Sequence, residues 1–142
     1  MTKRLLIITL ILLALGIFST VVLAAPGNTT PNVTITVLNL PPDGILELGV
    51  GESYTFDILV VSDQPFKSAM ALPAAYFPGR GIFFHGSDHA SQNTTALLHL
   101  TVTGKGSTAE LPNGANPASI NVGVRFGGLT VGQTFDFGVA VP

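Results

Sequence analysis

The chain has 142 residues, of which 46% are apolar and only 10% charged, with no cysteine and a formal net charge of −2. The missing cysteine excludes disulfides, thiolate metal sites and cysteine nucleophiles. Two of the six basic residues, Lys3 and Arg4, stand at the extreme N-terminus, leaving Lys67, Arg80, Lys105 and Arg125 against eight acids, a balance that makes nucleic acid a poor partner.

Met1 to Arg4 form a short basic segment, and Leu5 through Leu23 is apolar almost throughout. With Val22-Leu23-Ala24 before a polar stretch, this predicts a signal peptide over residues 1–24, cut after Ala24. An uncleaved anchor is the competing reading, because the run is about long enough to span a bilayer; it would be the chain's one route to a membrane. Either way the basic end stays inside and the domain lies outside. Residues 25–32, made of Ala, Pro, Gly, Asn and Thr, are expected to be a disordered lead-in. The remaining residues, 33–142, are the size of one domain.

That domain reads as strands. Val33 to Val37 alternates cleanly, and Leu38 to Gly44, with its two prolines, turns. Ile45 to Leu48 is a short extended piece expected at an edge. Ser53 to Val61 carries Tyr54, Phe56, Ile58 and Val60 on one face, and Ser62-Asp63-Gln64-Pro65 is expected to stop it. Phe66 to Leu72 places Phe66, Ser68, Met70 and Leu72 on one face of a strand, although Ala69-Met-Ala-Leu also suits a helical turn; with Pro73 and Pro78 excluding a long helix, strand is the preferred reading. Ala74 to Gly81 is read as a loop and Ile82 to His85 as a short strand. Gly86 to Asn93 is expected to be a polar loop. Thr95 to Thr103 alternates again around Ala96, Leu98, Leu100 and Val102, and Gly104 to Pro117 is expected to be a long loop. Ile120, Val122, Val124 and Phe126 line the next strand; Phe135, Phe137, Val139 and Val141 line the last. Seven or eight strands with no long helix predict two sheets packed face to face.

Val33-Thr-Ile-Thr-Val, Asn39-Leu-Pro-Pro, Leu48-Gly-Val-Gly-Glu-Ser-Tyr-Thr-Phe and Phe135-Asp-Phe-Gly-Val-Ala-Val resemble bacterial immunoglobulin-like domains of exported and cell-surface proteins. The likeness covers most of residues 32–142. It implies an all-β, immunoglobulin-like β-sandwich of seven to eight antiparallel strands, and roles in binding, adhesion or spacing. The chain departs from antibody-type domains in lacking the cysteine pair, the core tryptophan and a tyrosine in the Ile120–Phe126 strand.

The residues with most chemical potential are His85, Asp88 and His89, two imidazoles and a carboxylate within five positions, with His99 further on. Such a set suits Zn²⁺ or Cu²⁺; a polar loop that happens to carry two histidines is the plainer reading. Asp43, Asp57, Asp63 and Asp88 raise calcium, but no Asp-x-Asp-x-Asp run is present, and Asp57 and Asp136 are expected on solvent faces. No nucleophile or phosphate-loop motif appears, so no enzyme and no cofactor are expected. Asn28, Asn32 and Asn93 head Asn-x-Thr acceptor patterns, all expected in loops or lead-in. Tyr76-Phe77 beside Phe83-Phe84 could form an aromatic platform, although alternate members are expected in the core. The lead expectation is an exported non-enzymatic binding, adhesion or spacer domain of the periplasm or cell surface. It would meet an envelope protein or glycan through its loops at 74–81, 86–93 and 104–117. A small exported metal-binding protein and a structural subunit pairing its strand edges are the alternatives.

Overall fold

The structure is a computed structural model that describes residues 30–142, so the expected signal peptide lies outside the described residues. Among the described residues seven strands make up one all-β domain: β1 (Val33–Val37), β2 (Ile45–Glu47), β3 (Ser53–Ala75), β4 (Ile82–His85), β5 (Asp88–Gly104), β6 (Asn116–Phe126) and β7 (Leu129–Ala140). They form a single open sheet in the order β2-β7-β6-β3-β5-β4, with β1 added on β3. Among the described residues the only helical element is a 3₁₀ turn at Pro112–Gly114.

Two long strands give the sheet its sandwich-like shape. β3 and β5 pair from Ser53↔Thr103 to Ala71↔Asp88, but between Val61↔Thr95 and Phe66↔Asn93 the ladder advances five residues along β3 and two along β5. There the sheet turns over. The first half of β3 lies with β1, the end of β5 and β4; its second half lies with the start of β5, β6, β7 and β2. The two limbs meet face to face. Phe56 of the first touches Phe137 of the second at 4.9 Å between ring centroids, and Phe84 touches the same ring at 6.4 Å. Phe56, Ile58, Val60, Leu98, Ile120 and Val139 are fully buried between them, each worth about 1.5–3 kcal/mol of transfer free energy.

Several expectations are corrected. Ser62–Pro65 does not end the strand; it is a bulge inside β3. Its offset of three residues is odd, so β3 exchanges faces while β5 keeps its own. Ala69 and Ala71 therefore point inward, and Met70 and Leu72, on the other face, are 41% and 45% exposed. Phe66 itself is buried at the bend, edge-on to Phe126. The expected loop at 86–93 is strand from Asp88 onward, because it pairs with the continued β3, and Asn93 accordingly sits in β5 rather than in a loop. The loops expected at 74–81 and 104–117 shrink, as β3 runs to Ala75 and β6 begins at Asn116. The strands are not all antiparallel: β2 runs parallel to β7, through Ile45↔Gly138 to Glu47↔Ala140. At the end of the lead-in, Asn32 is fastened, donating its backbone and side-chain N–H to the Asp63 carboxylate at 2.9 and 3.0 Å.

Side chains continue the ladder where neighbouring strands run out. Past the end of β1, Asn39 stands in for a peptide group: its Oδ1 accepts from Asp57 N–H at 2.8 Å and its Nδ2 donates to Thr55 C=O at 2.8 Å. Such substitution meets the demand of every strand edge for hydrogen-bond partners.

Candidate functional site

Asp88 plays the same part on β5. The β4–β5 ladder stops at His85↔Thr101. Beyond it, Asp88 Oδ2 accepts from the His99 N–H at 2.7 Å, while Oδ1 accepts from the His89 N–H at 2.8 Å. The carboxylate expected to hold a metal is thus engaged with backbone. His85 Nε2 lies 2.7 Å from Thr103 Oγ1, and His99 Nδ1 lies 2.8 Å from Asp57 Oδ1. His89 is exposed opposite Met70. Among the described residues, no three His, Asp or Glu side chains are grouped to hold a metal ion. The other aspartates weighed for calcium are dispersed as well: Asp43 accepts from Ile45 N–H at 3.1 Å, and Asp63 holds Asn32.

The outer face of the first limb is internally satisfied. Ser53 and Thr103 hydroxyls meet at 2.7 Å, Thr55 and Thr101 at 2.8 Å, and Asp57 and His99 at 2.8 Å, three successive rungs across β3 and β5. Cross-strand pairs of this kind stabilise a sheet without offering free groups to a ligand.

The outer face of the second limb is built differently. Pairing of β3, β6 and β7 sets Ala74, Ser119 and Asp136 in one row, and Leu72, Asn121 and Thr134 in the next. Thr134 Oγ1 donates to Asn121 Oδ1 at 2.9 Å, and Asn121 Nδ2 donates to Ser119 Oγ at 3.4 Å. Asp136, one step further, has no hydrogen bond or ion pair among the described residues.

Three surface clefts share Asp136. One, of about 380 Å³, runs from Tyr76 across Ala74 and Ser119. A second, of about 330 Å³, continues past Pro117 to Asn113 and Ile45. The third, of about 460 Å³, lies between β1 and β7 and is lined by Thr36, Leu40, Pro41, Pro42, Gln133 and Phe135 among others.

The wall of the first cleft is held firmly. Tyr76 is 75% exposed, yet its N–H donates to Pro117 C=O at 2.8 Å and its ring stands edge-on to Phe77 at 4.9 Å. Behind it Asn116, fully buried, accepts from Phe77 N–H at 3.1 Å and donates to the carbonyls of Phe77 and Arg80 at 2.8 and 2.9 Å. Gly81 closes that loop at φ +75°, and a Cβ there would lie 2.5 Å from Thr108 Cγ2. The loop thus locks onto the one after β5, where Lys105 N–H donates to Gly81 C=O at 2.7 Å.

Alternation decides the other aromatics: Phe83 is 54% exposed and stands edge-on to His85, while Phe84 packs inward on Phe137. In the sequence Tyr76 stands out as an aromatic, Asn116 carries no local signal, and Asp136 reads as a plain solvent-facing acid. No linear signal could have joined them, since strand pairing alone makes them neighbours.

No family model and no curated protein matches the chain. Among solved structures, domains 4 and 5 of the S-layer protein SbsC align with a TM-score of 0.49 at 15% identity, over 79% of this chain and 46% of that one. A family 123 glycoside hydrolase from Clostridium perfringens aligns with a TM-score of 0.47 at 12% identity, over 80% of this chain and 27% of that one. The chain therefore spans less than half the length of either structure. Among the described residues no helix is long and apolar enough to cross a membrane.

Proposed function

We propose that the chain is an exported, non-enzymatic binding domain of immunoglobulin-like type, acting at the cell surface or in the periplasm. The observation that carries this reading is the meeting of three clefts at Asp136 on a rigid sheet. Concave surface with a few converging polar groups is where ligands settle. The signal-like N-terminus supports export, and the strand order supports the immunoglobulin-like assignment. In that order β1 pairs with β3 while β2 crosses to run parallel to β7.

The chain has no cysteine, so a single introduced thiol reports on one place. Thr134→Cys, carrying a photo-crosslinker beside the clefts, should form adducts with an envelope component when the exported protein is irradiated on its own cells. Thr55→Cys on the opposite face should not. Equal yields from the two positions, or none from either, would rule the reading out.

A second reading, a structural subunit joined by strand edges, is favoured by β7. Over Leu129–Phe137 it pairs only with β6 among the described residues, since β2 covers only Gly138–Ala140. That stretch carries no Lys, Arg or Pro to blunt the edge. Light scattering that finds only monomer across a wide concentration range would dismiss it; a dimer abolished by Gln133→Pro would support it.

A further inference from the structure

We infer that the trough from Tyr76 to Asp136 binds a neutral oligosaccharide. This rests on the binding reading above and names its ligand class. The first support is charge. Among the described residues that line the three clefts, the only ionisable group besides the Tyr76 phenol is the Asp136 carboxylate, with no Lys, Arg or His. A ligand bearing phosphate, sulfate or uronate would meet uncompensated repulsion there; one rich in hydroxyl donors would meet a strong acceptor.

The second support is shape and surface type. In the trough Tyr76 offers a ring face and Pro117 flat apolar surface beside the polar Ser119; beyond Asp136 the third cleft adds Pro41 and Pro42 with Thr134 and Gln133. A sugar ring has that same division: apolar C–H faces and a girdle of hydroxyls. A tyrosine with two rotatable angles presents such a platform at low entropic cost.

The third support is rigidity. A fully buried asparagine and three hydrogen bonds fix the Tyr76–Arg80 turn. The backbone that carries this exposed aromatic is thereby fixed, which lowers the cost of binding. Phe83 is the useful contrast. It is exposed on the first limb, but its neighbours there, Thr103 and His85, are hydrogen-bonded to each other.

The test is affinity electrophoresis of the exported protein. Gels are cast with neutral polysaccharides (starch, xylan, mannan, mixed-linkage β-glucan) or with the acidic alginate and hyaluronan. At least one neutral polymer should retard the protein and neither acidic one should. Tyr76→Ala should weaken retardation about tenfold, and Asp136→Asn about fivefold, the difference between a charged and a neutral acceptor. Phe83→Ala should leave it unchanged. Circular dichroism melts of the three variants, expected to match the parent, separate lost binding from lost folding.

Retardation by no neutral polymer overturns the inference, as does retardation by the acidic polymers alone or equal weakening by Phe83→Ala. If cross-linking from Thr134→Cys captures only protein while the gels show nothing, the sugar assignment fails and the binding reading stands. If both are blank, both fail.

Discussion

The two outer faces of this molecule both carry cross-strand polar pairs and differ in what they leave unpaired. On the first limb Ser53, Thr55 and Asp57 each find a partner directly across the ladder in Thr103, Thr101 and His99. On the second limb the polar chain Thr134–Asn121–Ser119 leads to Asp136, which has no hydrogen-bond partner among the described residues, beside a tyrosine 75% exposed. Polar groups that satisfy one another contribute to stability; polar groups left open beside a concave surface are available to something else. Composition does not separate the two faces, but hydrogen-bond accounting does.

The contrast can be broken most severely from beneath. Phe56 is fully buried against Phe137 under both faces. Phe56→Asp should unfold the domain, costing more than about 4 kcal/mol, whereas Thr55→Asp on the exposed side should leave a cooperative melt. Chemical denaturation of the pair reads this directly. Next, Asn116→Ala leaves backbone groups of Phe77 and Arg80 unsatisfied and should cost about 1–3 kcal/mol. It should also weaken whatever binds at Tyr76, and Tyr76→Ala should lower binding without moving the melting temperature. That split between stability and binding, measured on both variants, sharpens the distinction between a supporting residue and a contacting one.

The face exchange in β3 gives a third test. Ala69→Asp should destabilise by several kcal/mol, about the cost of an unpaired buried charge, while Met70→Asp should change stability by less than about 0.5 kcal/mol. Reversed outcomes in urea titrations would mean that the bulge at Ser62–Pro65 does not shift the side-chain phase. The smallest effect belongs to the rungs. A double-mutant cycle on Thr55→Ala and Thr101→Ala should return a coupling of about 0.2–1 kcal/mol. The same cycle on Ser119 and Asp136, between which no hydrogen bond runs, should return a coupling near zero.

What could be read beforehand follows from period two. The inward sets of β1, the first half of β3, the end of β5, β6 and β7 were legible because one buried face imposes strict alternation. Which face of 66–72 turns inward is not legible, because phase depends on how many residues a bulge inserts, and Ser62-Asp63-Gln64-Pro65 looks the same as a turn and as a bulge. A carboxylate between histidines suits a metal on local sequence alone; that Asp88 also serves as a substitute strand neighbour for the His99 N–H depends on where β4 stops.

By itself, then, the order of residues determined an all-β domain and, outside the stretch after the bulge, the side chains that leave water, because alternation and turn chemistry are local properties. Only the tertiary structure decided that β3 and β5 fold one sheet over on itself, and that Tyr76, Ser119 and Asp136 share a trough. Those relations come from register between distant strands, set by the burial of all of them together rather than by any one stretch.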